Sequence, residues 1–157
     1  MTMQDLIDKL KHRPKSVAEH RGEQLEEWKR ALDGLYTRIE SWLEPAMKQG
    51  VFEGGRADMI TREEGFGTYD VPLLWIREGG VTIKLEPAAV RVREVVTSGG
   101  ERHVGLRGQV DIVCGPMRLP LVRDANLTWK IMPLRGGPEE LTEESFAAVL
   151  SELLLDE

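Results

Sequence analysis

The sequence predicts an α+β fold: a short and a long N-terminal helix, an antiparallel β-meander, and a C-terminal helix packed on one face of the sheet. Three observations predict it. Residues 25–46 repeat apolar side chains at helical spacing, residues 81–131 alternate apolar with polar, and residues 146–154 return to a helical stripe.

Met3, Leu6, Ile7 and Leu10 share one face of a short helix over 3–11, and Pro14 forces the preceding residue out of helical geometry. Ser16 and Glu19 then form a Ser-x-x-Glu capping box, which starts a second helix. Within it Leu25, Trp28, Leu32, Leu35, Ile39, Trp42 and Ala46 step by three and four, the seam of a heptad repeat. Charged flanks such as Glu26, Glu27, Lys29, Arg30, Arg38 and Glu40 restrict burial to that one stripe. Pro45 is expected to kink or end the helix, with Gly50 as its stop.

From about residue 57 the period becomes two, the mark of half-buried strands. Val81, Ile83 and Leu85 alternate with Thr82, Lys84 and Glu86, and the same rhythm runs through Val90–Arg93, Val110–Ile112, Met117–Leu121 and Leu127–Ile131. Gly79-Gly80, Ser98-Gly99-Gly100, Gly115-Pro116 and Asp124-Ala125-Asn126 punctuate these runs as turns, so about five to seven strands are expected. No helical pattern intervenes to carry a parallel crossover, which makes the sheet antiparallel. Thr142 then caps a helix whose first turn holds Glu143 and Glu144 and whose face is Phe146, Val149, Leu150, Leu153 and Leu154.

A chain of 157 residues suits a single domain, with a helical segment 1–50, a sheet 51–137 and an acidic helix 138–157. The charge is uneven. Residues 1–50 balance nine Lys/Arg against nine Asp/Glu, residues 51–137 hold twelve against eleven, and residues 138–157 hold none against seven. A near-neutral body argues against nucleic acid as a partner, since such binders carry a basic face. No apolar run reaches the ~18 residues that cross a bilayer, Asp5 and Asp8 break any signal peptide, and Cys114 is alone, so a cytoplasmic location is expected.

The candidate sites are two surfaces. One is the helix seam of Leu25, Trp28, Leu32, Leu35, Ile39 and Trp42, which either lies on the chain's own sheet or against the helix before Pro14, or pairs with another protein, a second copy included. The other is a cationic sheet face of Lys84, Arg91, Arg93, Arg107, Arg118 and Lys130, either paired across strands with Glu86, Glu94 and Asp111 or presented to an acidic partner. His12, His20 and His103 are scattered, Cys114 reads as a small core residue, and Ser98 and Ser145 lack a nucleophile-elbow context. Gly105–Gly108 matches a GxxG spacing, but its flanks read as strands. No cofactor or metal site is expected.

The residues therefore favour a non-catalytic protein-interaction module, an accessory or immunity-type subunit of a bacterial cytoplasmic system. Two alternatives stand beside it. One is a metal-dependent phosphodiester hydrolase using Asp70, Glu86 and Asp111, and the other a weak nucleic-acid binder using the arginine face.

Overall fold

The structure, a computed structural model, describes residues 1–13, 17–96, 100, 102–133 and 136–155, with all their side chains except those of 17–18, 93–96 and 103–105. Ser16 of the capping box, the Ser98-Gly99 turn and the side chains of Arg93, Glu94 and His103 lie outside this description. The elements are α1 (Met3–His12), α2 (Val17–Lys48), β1 (Glu53–Glu63), β2 (Gly67–Glu78), β3 (Val81–Ala89), β4 (Val92–Val96), β5 (Arg102–Leu106), β6 (Gln109–Cys114), β7 (Met117–Arg123), β8 (Trp129–Ile131), β9 (Glu139–Glu140) and α3 (Glu143–Leu155).

β1, β2, β3, β6, β7, β8 and β9 form one antiparallel sheet in that order, and β4–β5 is a separate hairpin inserted between β3 and β6. The alternation across 81–131 sets its inner face: Ile83 and Leu85, Val110 and Ile112, Leu119 and Leu121, then Ile131 are all buried. α2 and α3 cover that face, and Trp28, Leu32, Ile39, Phe146 and Val149 join one core cluster with it.

α2 runs through Pro45 to Lys48 where the sequence predicts a kink or a stop. Proline in the last turn removes one helical hydrogen bond with little helix left to disturb. The end is set by Gly50 at φ 73°, whose N–H donates to the Met47 carbonyl while that of Val51 donates to Ala46. This is a Schellman closure, which needs the left-handed backbone that glycine adopts without strain.

The buried stripe of α2 is wider than a heptad seam, because Tyr36 and Leu43 are buried alongside Trp28, Leu32, Leu35 and Ile39. A helix lying on a broad sheet contacts it over more than the two positions per turn pair that a coiled coil uses.

β2 pairs with β3 only over Leu74–Glu78, and beyond it β1 and β2 continue as a two-stranded ribbon. Along that ribbon burial moves from Ile76 and Leu74 to Val71 and Tyr69, even positions giving way to odd. The ribbon end is tied to the bend after β3 by Glu63, whose carboxylate accepts the Val90 and Arg91 N–H groups and the Tyr69 hydroxyl. On the sheet's outer face Leu106, Val122 and Met132 form a second, small core with Val92 of the β4 strand against it.

Candidate functional site

The helix seam is internal. Trp28, Leu32, Leu35 and Ile39 are buried in the chain's own core, with Leu25 and Trp42 half-buried at its margins. These six residues leave no continuous apolar stripe on α2 for a second helix.

The cations do not share one face. Lys84, Arg118 and Lys130 stand on the outer face of the sheet, in phase opposite to the buried Ile83, Leu85, Leu119 and Ile131. There Arg118 lies 3.5 Å from Asp111 and 3.7 Å from Glu86, and Lys130 lies 3.6 Å from Asp124. Arg91 sits on the helix side, where it donates to Gln24 of α2 at 2.8 Å and covers the Phe66 ring. Arg107 lines a cleft there with Arg91.

Glu86 and Asp111 face each other across β3 and β6, whereas Asp70 is on the β1–β2 ribbon opposite Ile60. The three carboxylates are thus not brought together. Among the described residues no group of three His, Cys, Asp or Glu side chains has the geometry to hold a metal ion. Arg118 supplies the positive charge beside the pair instead.

The most constructed polar arrangement centres on Arg123, which sequence reasoning passed over. It lies in the inward phase of β7 and is only 4% exposed. Its guanidinium donates to both carboxylate oxygens of Glu27 at 2.6 and 2.8 Å, and through Nε and Nη2 to the Arg107 carbonyl at 3.1 and 2.9 Å. Trp28 and Trp129 flank it, with ring centroids 5.5 and 5.9 Å from the guanidinium carbon. The Arg123 end of this bidentate pair is buried while the Glu27 side chain stays 45% exposed, and the fork-on-carboxylate geometry makes it one of the stronger types of polar contact. Arg123 holds the Glu27 carboxyl below its ordinary range by hydrogen bonding, against the raising effect of burial.

Arg123, Glu27, Arg91 and Arg107 border a cleft of about 720 Å³ at the N-terminal half of α2. The Arg123 fork is occupied and Arg91 is bonded to Gln24, and among the described residues that line the cleft His20 is the only histidine and there is no serine or cysteine. Arg56 of β1 makes a second tie of the same kind, reaching Asp33 at 2.7 Å and Glu40 at 2.6 Å. Two arginines of the sheet thus fasten α2 through three of its carboxylates. For Arg123 the sequence did hold a signal: it continues the inward series Met117, Leu119, Leu121 with a charge.

A different kind of surface is left open at α1. Thr2 and Asp5 cap it reciprocally, with the Asp5 N–H donating to Thr2 Oγ1 at 3.2 Å and the Thr2 N–H to Asp5 at 2.9 Å. No residue of α1 is buried, and Met3, Leu6, Ile7 and Leu10 are all exposed.

No protein-family model, curated protein or solved structure matches this chain. Among the described residues no helix is long and apolar enough to cross a membrane.

Proposed function

We propose that this chain is a non-catalytic protein-interaction module, an accessory subunit of a cytoplasmic system, and that α1 is the element it presents to its partner. One observation carries the reading: a capped amphipathic helix whose whole apolar face lies outside the core. A ten-residue helix is marginal in water on its own, so its stability depends on tertiary or partner packing of that face. Helix-in-groove recognition uses this pattern of anchors three and four residues apart. The acids and bases of the fold support the same reading, because the best-built polar cluster uses its hydrogen-bonding groups to tie α2 to the sheet.

The test compares the full chain with Leu6→Asp as bait in its native host. A protein held in fixed stoichiometry by the parent chain and released by Leu6→Asp is the expected result. Retention indifferent to Leu6→Asp would overturn α1 as the binding element. Metal-dependent phosphodiester cleavage that Asp111→Asn abolishes would overturn the non-catalytic reading.

A further inference from the structure

We propose that the partner of α1 is a second copy of this chain, whose α3 groove receives the helix in a reciprocal exchange; the inference rests on α1 being a docking helix. The groove is an apolar recess of about 360 Å³ between the segment after α2 and the outer flank of α3, lined by Val51, Phe52, Ala147, Leu150, Leu154 and Leu155. Val51 is 52% exposed and Leu155 76%, so this recess, like α1, presents apolar surface that its own chain leaves uncovered.

Reach forbids the contact within one chain. α2 has 32 residues and spans about 47 Å at ~1.5 Å per residue. α1 is attached at its start, and the groove opens just past its end, at Val51 and Phe52. Residues 13–16 extend at most ~14 Å and α1 adds ~15 Å, leaving a shortfall of roughly 18 Å. A second chain removes that restriction.

Charge favours the same pairing. The last turn of α1 carries Lys9, Lys11 and His12. The receiving helix has Glu143 and Glu144 in its first turn and no basic residue in its last, and Glu78 lines the groove. Residues 138–157 contain no Lys or Arg at all. Because each copy offers one helix and one groove, mutual exchange is isologous and closes at two chains, with no open filament.

The experiment uses light scattering on the full chain at about 100 μM, with circular dichroism to confirm that each variant folds. The parent chain is expected at about twice its 17.7 kDa mass. Leu6→Asp in the helix and Leu155→Asp in the groove, both at exposed positions, are each expected to run as monomers. An equimolar mixture of the two variants is expected to regain dimer, weaker than the parent by at least ~10-fold, because one intact helix still meets one intact groove. A parent chain that stays monomeric, a dimer that Leu155→Asp leaves unchanged, or a mixture that regains nothing each overturns the exchange. The broader reading is judged separately: a monomeric parent that still holds another protein through Leu6 keeps α1 as a docking helix while removing the second copy as its partner.

Discussion

Replacing Gly108 with alanine should be among the most damaging one-methyl changes in this molecule. Gly108 has φ 146°, where an L side chain is strained, and it immediately precedes β6, against the indole of Trp28. A Cβ built there lies 2.6 Å from Cη2 and 2.9 Å from Cε3 of that ring, inside any tolerable contact. Two costs therefore add. The backbone accounts for ~1–3 kcal/mol, and displacing a close-packed indole for another ~1–3 kcal/mol. Trp28 cannot retreat freely, since Trp129 stands 5.9 Å from it and Arg123 packs on its ring. A total of about 4 kcal/mol is a large part of the ~5–15 kcal/mol expected for a domain, and at ~2–4 °C per kcal/mol it lowers the melting temperature by about 8–16 °C. Urea unfolding followed by near-ultraviolet circular dichroism reads both the loss and the disturbed indole. Repeating the change in a Trp28→Ala background should leave only the backbone part, a coupling of ~1–3 kcal/mol between the two sites. A loss under about 1 kcal/mol, or an equal loss in both backgrounds, would refute the reasoning.

Other consequences follow from the same contacts. Because Arg123 lowers the folded Glu27 pKa, the pair's contribution is complete above the unfolded value of about 4.3 and fades as pH falls further; Glu27→Gln should flatten that acid limb in melting curves from pH 2 to 7. Tyr36 donates its hydroxyl to the Pro72 carbonyl at 2.9 Å, so Tyr36→Phe should cost ~1–2 kcal/mol in urea unfolding. Burial raises the Tyr36 pKa, so its share of stability holds below the unfolded value of about 10 and is lost above it; the Phe variant should show a shallower alkaline decline. Glu63→Ala removes the acceptor of the Val90 and Arg91 amides and of Tyr69, and should cost about 2 kcal/mol while hydrogen exchange at Val90 accelerates.

The sheet was legible because its side-chain period and its burial period are the same quantity. The two-residue rhythm alone puts Ile83, Leu85, Val110, Ile112, Leu119, Leu121 and Ile131 on one face, and all are buried. The β4–β5 excursion was not. Val90 and Val92 keep the alternation across a bend at residues 90–91, and what fixes the bend is Glu63, a hydrogen-bond partner 27 residues earlier. Local rhythm carries no information about such a contact. Arg123 was hidden for a related reason: a charge in an inward phase is explained by distant partners, above all Glu27, 96 residues away on α2. Arg56, which meets Asp33 and Glu40, escaped in the same way.

The helices show where pattern reading meets its physical bound. α1, α2 and α3 all carry apolar residues at helical spacing, and nothing in that spacing says what covers them. The difference lies in attachment. α2 passes through the Gly50 closure directly into β1, and α3 is tied back through the Leu141 N–H to the Trp129 carbonyl, so both are delivered onto the sheet. α1 is joined only at the far end of a 32-residue helix whose ends lie about 47 Å apart at a rise of ~1.5 Å per step, and has no such tie among the described residues. The heptad seam, the stronger periodic signal, therefore stabilises the fold, while the weaker stripe of Met3, Leu6, Ile7 and Leu10 is the one left exposed. Periodicity measures how well a face suits burial; it is connection length that decides whether the chain can supply the burial itself.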